Sequence, residues 1–296
     1  MKAKQINELK LRLEARASRQ VYQVLNNQAR DVVNAFNVNQ LNAENIAENY
    51  IPEMLNAVRN AMRMSIASFG NSLRNDIAKD FNIAFKSTID NSNFDNINKQ
   101  LSFDFAVFVA NQSENQVKYI TETSANEITN IVNRQTTIKQ EEIGRLIREQ
   151  NELANIGTAE ARKRIATIDI VVKNAKRDVA KNIKINLLQN NISRSRLIGE
   201  QVIGIAEAYA REREAEVISN SNIKTSRGVI KNTKIWNAIL DKKTRDDHAM
   251  ADGQEVEINN NFNVGGEQLK YPRDPNGSPA NTIRCRCVAI YSTNYI

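Results

Sequence analysis

From residue 1 to about residue 227, apolar positions recur at steps of three and four, the spacing that lines one face of an α-helix. Val21, Leu25, Ala29, Val32 and Phe36 make one such series. Ile51, Met54, Leu55, Val58, Met62, Ile66 and Phe69 make a second, with Pro52 in the first turn, where a missing N–H costs nothing. Gly70 is expected to close that helix, and Leu73, Ile77, Phe81 and Phe85 to form a third. The Asn/Asp/Ser-rich stretch from Ser87 to Asn98 reads as a loop. Between Leu101 and Val109, Phe103 and Phe105 alternate as in a strand, but no pairing partner is evident, so a helix start is expected. Val117, Ile120, Ile128 and Val132 predict a further helix. Ile138 to Leu153 predicts another, with Glu141 and Arg145 placed four apart for a surface pair. Gly157 ends it, Thr158 is a cap for the next, and Ser193 to Ala215 is again helical, with Leu197, Ile198, Val202, Ile205 and Tyr209 apolar. Only five glycines and one proline punctuate these 227 residues, so long helices follow.

After Gly228 the pattern changes to alternation. Lys231 to Leu240 predicts a strand carrying Trp236, Gln254 to Ile258 a second, and Arg284 to Tyr291 a third. A long loop, with a Gly265-Gly266 turn and Pro272, Pro275 and Pro279, joins the last two. The Asn/Ser/Lys run from Ser219 to Arg227 marks the domain boundary. The expected fold is mainly α. Residues 1–228 form a long helical region, and residues 229–296 a small α+β domain with a short antiparallel sheet.

Charge adds one feature. The chain carries +7 overall, but residues 162–196 hold ten Lys or Arg against two Asp, so this segment accounts for the whole excess. There Ile165, Ile168, Val172, Ala175, Val179 and Ile183 form an apolar stripe. Lys173, Lys176, Arg177, Lys181 and Lys184 project from the opposite side. A solvated face is one reading, and a ridge contacting nucleic-acid phosphates the other. Without interleaved aromatics or a recognition motif, such binding would be sequence-blind. No eighteen-residue apolar run suits a bilayer, and the charged N-terminus does not read as a signal peptide. Two cysteines are too few for a secreted disulfide scaffold, so synthesis in a reducing cytoplasm is expected.

The only Trp, the only His and both cysteines fall after residue 235. Cys285 and Cys287 would share one face of the last strand, where a disulfide between them would close a strained ring. With His248 they make three donors of the kind zinc takes, the fourth being water or one of Asp241, Asp247 and Asp252. In the simpler reading, His248 braces a loop and the cysteines are small buried residues. Trp236 is expected in the core. Asp241, Thr244 and Arg245 are expected to set a turn, with Arg245 and Asp247 pairing across it.

Taken together, Trp236, Asp241, Thr244-Arg245, His248, Asp252-Gly253, Phe262, Tyr271-Pro272, Asp274-Pro275, Asn281, Ile283 and Cys285-Arg286-Cys287 resemble the phage Mu F-like domain of minor head proteins of tailed bacteriophages. Arg284 departs from that pattern, where the family usually has Asn. Arg196 to Glu200 loosely resembles the family's preceding helix, with Gln201 where an acidic residue is usual. The resemblance covers about the last hundred residues. It implies a non-enzymatic minor head protein of the capsid interior, assembled in the host bacterial cytoplasm. It also implies contact with the portal protein and other capsid proteins, in head assembly, DNA packaging or genome delivery. Double-stranded DNA is a compatible further partner for the basic ridge. Two alternatives stand beside this. One is a metal-dependent, nuclease-like site built from Asp241, Arg245, His248, Asn281 and Arg284. The other is a zinc-stabilised nucleic-acid-binding module.

Overall fold

The computed structural model describes residues 3–81, 91–222, 224–225 and 228–296. The fold is mainly α, with a small α+β region of short antiparallel sheets at the C-terminal end. Helices are α1 (Ala3–Asn37), α2 (Ala43–Asn49), α3 (Ile51–Phe81), α4 (Asn91–Ala154) and α5 (Ala159–Asn220). After them come strands β1 (Lys224–Thr225) and β2 (Gly228–Asn237), helix α6 (Asp246–Met250), and strands β3 (Glu255–Glu257), β4 (Phe262–Val264) and β5 (Glu267–Leu269). Helix α7 (Pro279–Thr282) and strand β6 (Val288–Tyr295) end the chain.

The helices are fewer and longer than the apolar series predicted. Gly70 does not end α3, and the expected second and third helices are one as far as Phe81. A Cβ at Gly70 would come within 2.7 Å of Glu214 Oε1, so this glycine serves close packing rather than termination. Residues 91–98, expected in a loop, are the first turns of α4, which runs unbroken through both stretches read as separate helices. Phe85 and residues 87–90 lie outside the described residues. Instead of the Glu141–Arg145 pair, Lys139 pairs with Glu142 at 3.0 Å and Asp178 at 3.7 Å, and Glu149 with Arg164 at 2.7 Å. Gly157 behaves as expected: it takes φ +68, and Thr158 Oγ1 accepts from the Ala161 N–H at 3.1 Å to start α5.

The chain forms two compact units. One comprises Gln20–Leu55 and Val117–Ser195 and is helical throughout. Its core holds Ala29, Val32, Ile46, Ile128, Ile131, Val132, Val179, Ile183 and Leu187. Buried Asn191 donates to the Leu25 carbonyl at 3.0 Å, so this polar side chain is satisfied where it is buried.

The other unit comprises Met1–Arg19, Asn56–Gln116 and Arg196–Ile296. Its sheet is centred on β2, which pairs antiparallel with β6 from Ile230↔Tyr295 to Asn237↔Val288 and with β3 on its other edge. A second hairpin, β4–β5, turns at Gly265 and Gly266, with φ +58 and +83. Alternation buries Ile230, Asn232, Lys234 and Trp236 on one face of β2. Two of these are polar, and α5 supplies their partners. Asn232 donates to the Ala215 carbonyl at 2.7 Å, and Lys234 Nζ donates to Glu212 Oε1 and to the Lys270 carbonyl, each at 2.7 Å. Tyr291 of β6 donates to Glu212 Oε2 at 3.0 Å. One turn earlier, Glu207 takes Arg211 at 3.1 Å and Lys10 of α1 at 3.4 Å, all three buried. Phe108 stacks on Tyr209 at 3.7 Å, closing the apolar side of the same helix.

Burial pushes the Glu212 carboxyl up to about 7 against the pull of Lys234, and burial likewise lowers Lys234. An unfolded carboxyl titrates at about 4.3. This group's contribution to stability is therefore fully present below that value and is lost as pH rises through about 7. Lys234→Met strands the carboxylate and should cost about 3–5 kcal/mol in chemical denaturation at neutral to alkaline pH, and less in mild acid. Combining it with Glu212→Leu should recover most of the loss. Failure of the double variant to recover would show that the pair is not the coupled unit described.

Candidate metal centre

The site is built from three short pieces around Trp236. The first is the turn after β2. Asp241 Oδ1 accepts from the Lys243 N–H at 2.9 Å, and Thr244 Oγ1 accepts from the Asp241 N–H at 3.2 Å, a self-contained turn that leads into α6. His248 sits in α6 and is 2% exposed. The second piece is Asp252-Gly253. Gly253, at φ +76, donates to the Trp236 carbonyl at 2.8 Å, and Asp252 accepts from the Ala238 N–H at 2.7 Å, tying the end of α6 back to β2. The third is residues 283–287 ahead of β6, carrying Cys285 at 1% and Cys287 at 5% exposure.

The cysteines were expected on one face of the last strand. That strand begins only at Val288, and both thiols stand in the extended segment before it. They converge nonetheless. His248 Nδ1 lies 3.4 Å from Cys287 Sγ and 3.6 Å from Cys285 Sγ, and the three donor atoms all lie within 4.8 Å of one another. Trp236, fully buried, meets the His248 ring edge-on at 5.6 Å and Phe262 at 5.3 Å.

The protonation of His248 follows from its neighbours. Asn281 Nδ2 donates to the Val264 carbonyl at 3.3 Å, which turns Asn281 Oδ1 toward His248 Nε2, also at 3.3 Å. That oxygen can only accept, so Nε2 carries the proton and the Nδ1 lone pair faces the two sulfurs. A ring nitrogen locked as a donor behind a ligating one is the arrangement metal-bound histidines use. Between the thiols, the hydrogen bond from Cys287 holds Cys285 well below the ordinary thiol range, with the Arg273 guanidinium acting the same way. The same hydrogen bond, together with burial, pushes Cys287 up. The Trp236 N–H has no conventional partner and favours the Cys287 thiolate.

The residues fit a tetrahedral zinc-type ion. With metal–sulfur and metal–nitrogen bonds of about 2.3 and 2.0 Å, such a site separates sulfur from nitrogen by about 3.5 Å, close to both distances here. The carboxylates considered as a fourth ligand do not join the donor group. Asp252 caps β2, Asp247 lies against Gly265, and Asp241 holds Arg286 through both oxygens, one at 2.7 Å. That contact holds the Asp241 carboxyl well below its ordinary range. Arg245 does not pair with Asp247; it donates to the Ile283 carbonyl. Among the described residues, the donor group is therefore His248, Cys285 and Cys287 alone.

Several other residues brace this group. Asp274, buried in the Tyr271-Pro272-Arg273-Asp274-Pro275 turn, accepts from the Lys270 N–H at 2.9 Å and the Asn276 N–H at 3.0 Å. Arg273, at φ +68, is buried and donates to the carbonyls of Cys285 and Glu200. A Cβ at Gly204 of α5 would overlap its guanidinium, so this helical glycine exists to let Arg273 through. Neither Arg273 nor Gly204 stands among the residues expected from sequence to matter, although a glycine inside an otherwise unbroken helical series is the signal that marks such a crossing. Lys173, Lys176, Arg177, Lys181 and Lys184 are all exposed on α5 within the helical unit. Lys176 is committed locally, donating to the Asn37 carbonyl at 2.6 Å and to Asn39 Oδ1 at 2.9 Å at the end of α1.

Against this geometry, the family comparison falls on the C-terminal part of the chain. The C-terminal region is similar to a known family: the model described as Phage Mu protein F like protein matches residues 170–290. Over 57 residues the chain is 39% identical to the NAD(+)–arginine ADP-ribosyltransferase EFV of Enterococcus faecalis, a stretch that makes up 19% of this chain and 12% of that protein. The chain thus spans only a small part of that relative's length. No solved structure gives a significant match.

Arg284 occupies φ +56, the left-handed region that strains any side chain with a Cβ and that Asn and Gly tolerate best. This explains the Asn usual at the position by backbone conformation rather than by amide chemistry. Arg284→Gly should raise stability by about 1 kcal/mol in thermal denaturation, and Arg284→Asn by less. A loss of stability in both would refute this account.

Proposed function

We propose that this chain is a minor head protein of a tailed phage or prophage. It would act in the capsid interior during head morphogenesis, binding the portal protein and, through α5, packaged DNA without sequence preference. The observation that carries this reading is the Mu F-like match over residues 170–290, which takes in the donor cluster and the basic stretch of α5 together. In this reading the helical residues 1–228 serve portal and DNA and residues 229–296 carry the donor cluster, although Met1–Arg19, Asn56–Gln116 and the end of α5 share one compact unit with it. Among the described residues no helix is long and apolar enough to cross a membrane, which accords with a virion component assembled in the host cytoplasm.

The proposed role is non-catalytic. The nuclease-like alternative needs Asp241, Arg245 and His248 free to act on a phosphate. Instead Asp241 holds Arg286, Arg245 holds a backbone carbonyl, and both nitrogens of buried His248 are occupied. ADP-ribosyl transfer is not carried over either, because the shared 57 residues are too few to form a nucleotide-binding catalytic domain. Zinc fits a structural part here, clamping α6 to residues 285–287 where the domain has few aromatics to form a core. Elemental analysis of the pure chain should find one zinc per molecule, lost together with fold stability when Cys285 and Cys287 are both replaced by Ser. Metal-free protein of unchanged stability would end the zinc assignment.

The DNA reading rests on Lys173, Arg177, Lys181 and Lys184, which are exposed and fall within an arc of about 80° at 100° per residue. Replacing these four by Ala and sparing Lys176 should reduce the slope of log affinity against log salt by about 0.9 for each phosphate no longer neutralised. An unchanged slope would remove α5 from the DNA interface. For the portal, co-purification with the portal protein encoded beside it should give a complex stable at low and at moderate salt. DNA retention without any portal complex would contradict the head-assembly role.

A further inference from the structure

We propose that the fourth position of the metal centre, resting on the zinc reading above, is a binding site for a phosphate-type anion. Three buried protein donors leave a tetrahedral ion one ligand short, and no carboxylate among the described residues completes the set. A cavity of about 10 Å³, room for about one ligand atom, lies among His248, Cys285 and Cys287. The remainder of its wall is Ile239, Lys243, Thr244, Arg245, Arg284 and Arg286.

Four cations therefore line the cavity; Arg286 is paired with Asp241 and Arg245 donates to the Ile283 carbonyl, which leaves Lys243 and Arg284. Lys243 and Arg284 are exposed, and neither side chain makes a hydrogen bond or ion pair with any described residue. The strained φ of Arg284 sets its side chain's origin at this rim, immediately before Cys285. Two thiolates, one neutral imidazole and one divalent ion sum to no net charge, so the metal centre does not offset the charges of Lys243 and Arg284, which favour an anion there. A carboxylate has two oxygens to offer. A phosphate presents one oxygen to the metal and others to Lys243 and Arg284 at once, which is the multi-point geometry that Arg and Lys recognise. A free phosphate and a phosphodiester in a nucleic-acid strand share this chemistry.

The full chain loaded with cobalt tests this. Thiolate-to-cobalt charge-transfer bands report the metal centre itself. The ligand-field bands report the fourth ligand. Titration with inorganic phosphate or a short single-stranded oligonucleotide should shift the ligand-field bands saturably and leave the charge-transfer bands in place, with acetate at least about tenfold weaker. Lys243→Ala combined with Arg284→Ala should weaken the phosphate shift about tenfold without changing the metal content, a loss in keeping with two charge-assisted contacts. A response to both phosphate and oligonucleotide supports the site and makes strands a ligand source; a response to phosphate alone supports it and confines the source to the free anion. Charge-transfer bands with no ligand-field shift, or an equal shift with acetate, would overturn the anion site and leave the metal centre standing. Absence of charge-transfer bands would remove the metal reading, and the anion site with it.

Discussion

A lysine held out of water on the central strand constrains this part of the molecule more than any apolar contact. Lys234 lies on the buried face of β2, where an unmatched ammonium would be untenable, and it is matched only by Glu212 of α5 and the Lys270 carbonyl. Meeting that demand fixes how α5 lies against the sheet. Two turns earlier on the helix, Gly204 then stands beneath Arg273, and Arg273 reaches the carbonyl of Cys285. The position of a thiol in the donor cluster is thus set through a chain of polar contacts that begins at a strand residue some fifty positions away. Hydrophobic burial around Trp236 supplies cohesion, and the ion pair supplies the register.

Much of this was legible in the residue pattern, and the failures have physical causes. Three- and four-residue periodicity revealed that the described residues up to about 220 are mostly helical but not how many helices they make. A glycine between two apolar series looks like a stop, yet Gly70 is a contact point for Glu214 inside one helix. Asn and Ser runs look like loops, yet residues 91–98 are carried into α4, an instance of tertiary context overriding weak propensity. In the C-terminal region the strands carrying Trp236 and the chain end were readable from alternation. The β4–β5 hairpin was not, since three-residue strands are too short to show a period.

The convergence of His248, Cys285 and Cys287 was readable because these residue types are so scarce that their crowding into one window carried information. Their support was not. Asn281 fixes the histidine tautomer through Val264, and Arg273 pins the thiol-bearing segment through a carbonyl; both act by backbone contacts, which leave no trace in residue spacing. The same limit applied to Arg245 and Asp241. Arg245 and Asp247, opposite charges two apart, suggested a local pair, whereas folding joins Arg245 to the Ile283 carbonyl and Asp241 to Arg286 from the far end of the domain.

One feature of the architecture bears on how the protein is made. The unit that contains the sheet is assembled from three separated segments, Met1–Arg19, Asn56–Gln116 and Arg196–Ile296, and Lys10 waits for a carboxylate 197 positions downstream. Its first residues leave the ribosome long before the strands that complete them. The helical unit, closed by residue 195, has all its parts beforehand. Folding is therefore free to start in the middle of the chain and work outward. The helical unit is free to form first, while an amphipathic N-terminal segment stays unsatisfied until residues 196–296 have been made, a natural client for a chaperone or for an early assembly partner.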